Sequence, residues 1–156
     1  MHSLHLSLGS NIEPEQNLRR AVALLRERSE VLALSRVWQS HAVGSPGPDF
    51  LNLCAWVRTP LTAAAFKAQV IQPIEAALGR QRSADRFAPR PIDIDPILED
   101  GQPWGEVTRQ AFVIVPLAEL APDLHYPPDA PYSLAELAAR LRAETWIVAR
   151  PEVEIG

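Results

Sequence analysis

The order in which strand and helix periodicities follow one another restricts this chain to few folds. Apolar residues that alternate with polar ones predict strands, and apolar residues that recur every three or four positions predict helices. The predicted elements are a strand at 4–8, a helix at about 14–28, strands at 31–38 and 50–59, a helix at about 62–78 and a strand at 92–98. This order is that of an α+β, ferredoxin-like βαββαβ sandwich. We therefore expect a mostly antiparallel sheet with helices on one face.

Beyond residue 98 the pattern predicts shorter elements. The run 111–115 is apolar and is either a strand or the start of a helix, and 117–120 resembles one helical turn. Ser133 and Glu136 have the spacing of a capping box, which predicts a last helix to about Arg142. Residues 146–148 are typical of an edge strand, and Pro73 should kink the second long helix.

Length and composition exclude several classes of protein. A chain of 156 residues suggests one domain over 1–156, and its net charge of −4 argues against binding to nucleic acid or anionic membranes. The single cysteine, Cys54, excludes an internal disulfide and a cysteine-based zinc site. The sequence has neither a signal peptide nor a membrane-spanning run, so we expect a cytoplasmic protein, with a monomer favoured.

Asp93 and Asp95 stand two residues apart in the strand predicted at 92–98. Alternate strand residues point to the same face, about 6.5 Å apart along the strand, so these carboxylates repel one another unless a cation is near. Magnesium is commonly held by one or two carboxylates together with substrate phosphates. The pair therefore favours a metal-dependent phosphate site, and a solvated sheet face is the alternative.

An arginine-rich stretch precedes this strand. Within eleven residues the chain carries Arg80, Arg82, Arg86 and Arg90. The planar guanidinium group suits bidentate contacts to phosphate. Beside two aspartates, these arginines indicate either a metal–polyphosphate site or an ion-pair network. The chain has no Gly-rich loop ending in Lys-Ser or Lys-Thr, so it is not a P-loop kinase.

Other candidate residues have two readings each. Gln72 and Glu75 lie three residues apart near the end of the second helix, and they face either the arginine-rich stretch or solvent. Phe87 and Phe112 either sandwich a flat ring or fill the core. Asn52 lies on the polar side of the third predicted strand, where simple exposure is the alternative. The four histidines are scattered, so no histidine metal triad is indicated.

Several short segments, in the same order, resemble motifs of the 6-hydroxymethyl-7,8-dihydropterin pyrophosphokinases. The most specific is Arg-Phe-Ala-Pro-Arg-Pro-Ile-Asp-Ile-Asp at 86–95. The other similar segments lie at 8–11, 40–44, 50–52, 72–75, 79–82 and 112–122. The resemblance implies transfer of pyrophosphate from ATP to the hydroxymethyl group of a reduced pterin, releasing AMP, in folate biosynthesis. It implies small-molecule partners alone, namely ATP and the pterin.

The resemblance also assigns roles to positions of this chain. According to the resemblance, Asp93 and Asp95 hold two magnesium ions. It also implies that Arg80 and Arg90 act in catalysis together with these aspartates. The positions that it assigns to ATP are Gln72, Glu75, Arg80, Arg82, Arg90 and Arg109. The positions that it assigns to the pterin are Ser40, His41, Val43, Phe50, Asn52, Phe87 and Phe112.

The chain also departs from the family's pattern. Sixteen residues separate Asp95 from Phe112, and this shortened segment has no histidine. Gln110 stands where an arginine is common, Phe87 replaces a tryptophan, and His41 replaces a proline. Loss of one charge-assisted phosphate contact costs ~2 kcal/mol, or roughly thirtyfold. We expect an active pyrophosphokinase with weakened ATP affinity. The alternatives are a divergent paralogue acting on another pterin-like alcohol and a non-catalytic pterin- or nucleotide-binding module.

Overall fold

The computed structural model describes residues 1–44, 46–80 and 91–156. The strands are β1 (His2–Ser10), β2 (Glu30–Leu34), β3 (Trp38–Ser40), β4 (Phe50–Thr59), β5 (Asp93–Glu99), β6 (Gln102–Pro103) and β7 (Ile147–Ala149). The helices are α1 (Pro14–Arg28), α2 (Ala63–Phe66), α3 (Gln72–Ala77), α4 (Ala111–Leu120) and α5 (Leu134–Glu144). A π-helical segment, Lys67–Ile71, joins α2 to α3.

These strands form one antiparallel sheet. Its order is β6-β5-β1-β4-β3-β7, and β2 also pairs with β4. The central pair is β1 with β4, which runs in register from His2 opposite Thr59 to Ser10 opposite Leu51. The strand β5 lies on the other side of β1. This order, with α1 and α2–α3 as the connections, confirms the predicted ferredoxin-like α+β fold.

One face of the sheet, here called the α1 face, is covered by α1 and by the α2–α3 segment. Leu4, Leu6 and Leu8 alternate along β1 and are fully buried on this face. They pack in one core with Leu18 of α1 and Phe66 of α2. The helices of the βαββαβ core therefore lie on one face, as the hydrophobic periodicity predicts.

The opposite face, here called the α4 face, carries the later helices α4 and α5. The helix α5 was predicted from its capping box, but the expectation that helices cover only one face of the sheet was wrong. Trp38 and Cys54 point to this face and form a second core with Ile114 of α4 and Leu137 of α5. The sheet thus has helices on both faces, with α1, α2 and α3 on one and α4 and α5 on the other. Cys54 is a free thiol, and its burial raises its pKa.

The helix α4 joins two stretches that the sequence predicted separately. It spans 111–120 without a break, with Pro116 inside it. Proline cannot donate to the carbonyl four residues earlier, and here that carbonyl belongs to Phe112 in the first turn. Most of the residues of α4 are buried, so the helix is apolar on nearly all sides and lacks the periodicity that would identify it.

Two further elements differ from their predicted form. The strand predicted at 31–38 is divided into β2 and β3. Between them the Ser35 N–H donates to the Cys54 carbonyl of β4 at 2.9 Å, but the return bond is made by the Ser35 side chain in place of a backbone carbonyl. The Ser35 Oγ accepts the Cys54 N–H at 2.8 Å. The helix predicted at 62–78 contains the π-helical segment, which ends at Ile71, two positions before Pro73, and the N–H of Gln72 donates to the carbonyl of Lys67. Proline disturbs the helical bonding of the preceding turn, and this wider turn accommodates it.

The remaining predictions agree closely with the structure. The helix α1 begins at Pro14 and ends at Arg28, and β7 is the outer strand next to β3. The capping box of α5 is present, since Ser133 and Glu136 each bond to the backbone N–H of the other. Across the described part of the chain, no helix combines the length and apolar character needed to cross a membrane.

The Ser133 cap gives a test of how α5 is held on the α4 face. We expect Ser133→Ala to lower the free energy of unfolding by about 1 kcal/mol, because an N–H in the first turn of α5 loses its acceptor. Urea denaturation followed by circular dichroism measures this loss. Ser133→Thr keeps a hydroxyl and is the matched control. Equal stability of Ser133→Ala and the parent would show that the cap does not hold this helix.

Candidate active site

Polar and small residues of three neighbouring strands meet at one end of the α4 face. Asp93 lies opposite Gly9 and Asp95 lies opposite Ser7 in the β1–β5 pairing. Gly9 also lies opposite Asn52 in the β1–β4 pairing. Residues that are directly opposite in an antiparallel pair point to the same face. Register therefore brings both aspartates and Asn52 to one surface.

A cavity of about 230 Å³, here called the central cavity, opens at this surface. Asp93 and Asp95 line it from β5. It is also lined by the described positions that were predicted to contact the pterin, namely Ser40, His41, Val43, Phe50, Asn52 and Phe112. The seventh such position, Phe87, lies outside the described residues. The structure thus joins the predicted pterin positions and the carboxylate pair in one cavity.

Asn52 is held rigidly in this cavity. It is 2% exposed, which excludes a solvated polar face at this position. Its Nδ2 donates to the Ser40 Oγ at 2.8 Å and to the Trp38 carbonyl at 3.3 Å. A carbonyl oxygen can only accept, so these partners fix which end of the amide is the nitrogen. The Asn52 Oδ1 then lies on the side of Gly9, where it can accept from a ligand.

The absence of a side chain at Gly9 keeps this corner open. A Cβ atom at Gly9 would lie 3.1 Å from the Asn52 Oδ1 and 3.6 Å from the Cδ2 of Phe50. The rings of Phe50 and Phe112 are half-buried and line the cavity from β4 and α4. Phe112 also packs against the core of the α4 face. It therefore lines the cavity and also fills part of the core, the two alternatives that the sequence left open.

Several residues of the cavity were not predicted. They are Ser7, Gly9, Ala42, Ile97, Gln110 and Val113. Ser7 and Gly9 alternate with the apolar leucines of β1, and this pattern could have shown that they point away from the α1 face. Strand pairing then places them beside the aspartates. Gln110 lies at the N-terminus of α4, whose helical nature the sequence left open.

Asp95 lies in a partly buried position beside the negative charge of Asp93. Burial, and then the charge of Asp93, raise the pKa of Asp95 to about 6. Lys67 opposes this, but its Nζ lies 3.8 Å from the Asp95 Oδ1. Lys67 comes from the π-helical segment and was also not predicted to take part in the site. A bound cation would relieve the remaining repulsion.

A second network fixes the strand that carries the aspartates. The Nη1 of Arg80 donates to the Asp93 Oδ1 at 2.7 Å and also to the Glu75 carboxylate. The same Glu75 carboxylate accepts the N–H of Ile94 at 3.1 Å, between the two aspartates. Glu75 is buried, so the reading of a solvated helix face does not hold for it.

Burial affects the ionisation of this network in two ways. Burial raises the pKa of Glu75, while the Ile94 N–H and the charge of Arg80 oppose that rise. Burial also acts to lower the pKa of Arg80, but the charges of Asp93 and Glu75 outweigh it and raise the pKa overall. Arg80 therefore stays cationic beside the aspartates.

Only some of the predicted ATP positions that the structure describes lie at this network. Gln72, Glu75 and Arg80 line a shallow depression of about 270 Å³, here called the Gln72 depression. Arg109 is elsewhere, with its Cζ 5.2 Å from the centroid of the Tyr132 ring. The other predicted residues of the arginine-rich stretch, Arg82, Arg86 and Arg90, lie outside the described residues.

The two aspartates suit magnesium by the chemistry of their oxygen atoms. Hard carboxylate oxygens are what this ion prefers, and both side chains remain partly accessible, 28% for Asp93 and 50% for Asp95. Among the residues that the structure describes, no group of three or more His, Cys, Asp or Glu could hold a metal ion. Water and substrate phosphates would have to supply the other ligands, which is common for magnesium.

Comparison with known proteins gives a consistent family. Residues 5–122 match the model of 7,8-dihydro-6-hydroxymethylpterin-pyrophosphokinase. A 2-amino-4-hydroxy-6-hydroxymethyldihydropteridine pyrophosphokinase of Synechocystis is 36% identical over 134 residues, which cover 78% of this chain and 68% of the relative. The protein of the same name from Methylorubrum extorquens is 39% identical over 137 residues, which cover 80% of this chain and 85% of the relative.

Solved structures share the fold. The wild-type HPPK-DHPS of Plasmodium falciparum with SDX-DHP matches 92% of this chain with a TM-score of 0.65, and its structure with pterin and p-hydroxybenzoate matches 92% with a TM-score of 0.57. This chain spans 44% of the length of each of those chains. Sequence identity is 10% in both cases, so this likeness concerns the fold alone.

The family match covers most of the chain, and relatives above 30% identity match over most of their own length. The cavity and the carboxylate pair lie within the matched residues. The chain therefore belongs to the 7,8-dihydro-6-hydroxymethylpterin-pyrophosphokinase family.

Proposed function

We propose that this chain transfers the pyrophosphoryl group of ATP to the hydroxymethyl group of 6-hydroxymethyl-7,8-dihydropterin, releasing AMP, as a step of folate biosynthesis. The observation that carries this proposal is the placement of Asp93 and Asp95 in the cavity that also holds Asn52 and two aromatic side chains. One cavity then contains groups for a flat, hydrogen-bonding ring and groups for a metal-bound polyphosphate. Family membership and the names of the relatives support the same reaction.

On the pterin side, the residues act by shape and by one fixed acceptor. Phe50 and Phe112 provide apolar ring surfaces, which suit a flat heterocycle. The Asn52 Oδ1 accepts from an N–H of the pterin edge, because Ser40 and Trp38 already take the protons of its Nδ2. Since this amide is fixed before the ligand arrives, little freedom is lost when the ring binds.

On the ATP side, the residues act by charge. Arg80 is held between Asp93 and Glu75 beside the Gln72 depression, where its remaining N–H groups can donate to phosphate. Gln72 is exposed at the same depression and can contact the nucleoside. Arg82 and Arg90 are assigned to the phosphates by their family positions. Lys67, beside Asp95, adds a cation to this side of the site.

We also propose that Asp93 and Asp95 bind two magnesium ions, with the phosphates of ATP as further ligands. Bound there, the ions would neutralise charge on the phosphates during transfer. The chain's own task is then to hold the pterin hydroxyl in line with the β-phosphorus. As the new O–P bond forms, the bond from the β-phosphorus to the bridging oxygen breaks, AMP leaves with that oxygen, and the proton of the pterin hydroxyl passes to water. Positioning and charge stabilisation therefore supply the catalysis.

The cellular setting and the domain organisation are also proposals. Both cores of the chain are built on the two faces of one sheet, which supports a single domain over 1–156. We propose that this domain works in the cytoplasm, on small-molecule substrates.

Removal of the Asp95 carboxylate tests the proposed reaction. We expect Asp95→Ala to lower pterin-dependent AMP formation from magnesium–ATP by at least about a hundredfold, because the metal loses a ligand. Chromatography of the nucleotides measures AMP. Asp129→Ala, at an exposed aspartate outside the site, is the control and should keep full activity. Full activity of a folded Asp95→Ala variant would exclude this role for the carboxylate.

Asn52 gives a separate test of the pterin side. We expect Asn52→Ala to raise the KM for the pterin by about tenfold to a hundredfold, because a fixed acceptor is lost in a buried position. The KM for ATP should change by less than about twofold. Ser40→Ala, which removes only a partner of Asn52, should have a smaller effect in the same steady-state assay. An unchanged pterin KM in Asn52→Ala would contradict the assignment.

The repulsion at Asp95 predicts a gain in stability when its charge is removed. The folded state raises the pKa of Asp95 from 3.8 to about 6, so ionised Asp95 destabilises the metal-free protein above pH 6. This penalty fades as the pH falls from about 6 to about 4. Because half of the side chain is exposed, solvent screening reduces the effect, and we expect Asp95→Asn to add about 1 kcal/mol at pH 7.5.

Urea denaturation in EDTA at pH 7.5 and at pH 4 measures this difference. The gain of Asp95→Asn should fall to a small part of its value when the pH is lowered to 4, where Asp95 is protonated in the folded state and is close to its own pKa of 3.8 in the unfolded state. Asp129→Asn is the control and should show no gain at either pH. Lower stability of Asp95→Asn than of the parent at pH 7.5 would contradict a repulsive pair.

A further inference from the structure

His41 lines the central cavity and is itself held by a residue near the end of the chain. Its ring is stacked on the ring of Trp146, with 4.2 Å between centroids and 10° between planes. Its Nδ1 lies 2.9 Å from the Asp49 Oδ1. An ionised carboxylate can only accept, so the Nδ1 carries the proton and donates. The hydrogen bond to Asp49 thus fixes the imidazole within its plane, and the stack on Trp146 covers one of its faces.

A second connection reaches the same aspartate from the other end of β7. The Nη1 of Arg150 donates to the Oε1 of Gln39 at 2.7 Å, and the Nε2 of Gln39 donates to the Asp49 Oδ2 at 2.8 Å. Trp146 directly precedes β7 and Arg150 directly follows it. The strand itself pairs with β3, where Ile147 lies opposite Ser40. Residues on both sides of β7 therefore converge on Asp49, which directly precedes β4.

The position of Trp146 does not suit a role in the core. Its exposed fraction is 44%, and it belongs to neither hydrophobic core of the described residues. Its described ring contact is with His41, whose neighbours Ala42 and Val43 also line the cavity. The indole therefore supports the outside of the cavity wall. A tryptophan that serves only to stabilise the fold would be expected to bury more of its surface.

We propose that Trp146 and Arg150 are positioning residues that determine the affinity for the pterin. They do so by holding the wall formed by residues 41–43 in the shape that receives the ring. This rests on the proposed function, since it names residues that tune the pterin side of the same site. Neither residue is among the described residues that line the cavity. They act through His41 and Asp49.

The expected effect is selective. Without the stacked indole, the wall samples conformations that do not receive the pterin. The apparent affinity for the pterin then falls in proportion to the fraction of molecules whose wall keeps the receptive shape. Loss of one aromatic stack corresponds to about three- to tenfold. The KM for the pterin should rise by this factor in Trp146→Ala. The KM for ATP and kcat should stay within about twofold, since the carboxylate pair and Arg80 are untouched.

Steady-state kinetics of three variants test this. Trp146→Ala should raise the pterin KM, whereas Trp146→Phe keeps an aromatic ring and should restore most of the affinity. Val148→Ala, on the same strand and similarly exposed, should behave as the parent. Arg150→Ala should give a smaller rise of the same kind. An unchanged pterin KM in Trp146→Ala, or equal losses in both KM values and kcat, would overturn the proposal.

A measurement without substrates keeps this proposal separate from the proposed reaction. Hydrogen–deuterium exchange of the amides at 41–43 should speed up in Trp146→Ala and in Arg150→Ala, but not in Val148→Ala. Unchanged exchange in both variants would overturn the positioning role, even if the parent is active. If the parent forms no pterin-dependent AMP, the proposed reaction fails, and faster exchange still supports the coupling of β7 to the cavity wall.

Discussion

Repulsion between the carboxylates of Asp93 and Asp95 is the constraint around which this end of the sheet is built. Strand geometry points both side chains to the α4 face, and partial burial prevents water from screening them fully. Arg80 compensates one carboxylate at 2.7 Å, and Lys67 approaches the other at 3.8 Å. The buried Glu75 holds Arg80 and the Ile94 N–H together, so the strand and its nearest cation are fixed as one unit. The raised pKa of Asp95 shows that the negative charge of Asp93 still acts on it, and a divalent ion would relieve this repulsion.

The ferredoxin-like core provides the geometry and the later helices provide the cavity. The core alone would leave the aspartates and Asn52 on an open sheet face. The helix α4 packs on that face over Trp38 and Cys54 and brings Phe112 to its edge, while Gly9 keeps space beside Asn52. The cavity therefore exists because α4 covers only part of the face. Elsewhere in the cavity wall, His41 is stacked on Trp146, which directly precedes β7.

The parts predicted from the sequence are those with a strong local period or a fixed spacing. The helix α1, the strand β4 and the same-face placement of Asp93 and Asp95 follow from such patterns. The helix α4 could not be recognised from such a pattern, because burial on nearly all sides removes the apolar period of three to four residues. Lys67 could not be found, since its approach to Asp95 depends on packing between a helix and a strand. The stack of Trp146 on His41 joins residues far apart in the chain, which no local pattern reveals.

Counting the divalent ions that the chain binds with nucleotide tests the role of the carboxylate pair most directly. In α,β-methylene-ATP the link between the first two phosphates resists cleavage, so the complex is stable enough to titrate. With Mn²⁺ and this analogue, we expect electron paramagnetic resonance to show two bound ions per chain, as in other two-metal phosphate sites, and Asp95→Ala to lose at least one. Equal number and affinity of bound ions in the parent and in Asp95→Ala would contradict a metal site at these aspartates.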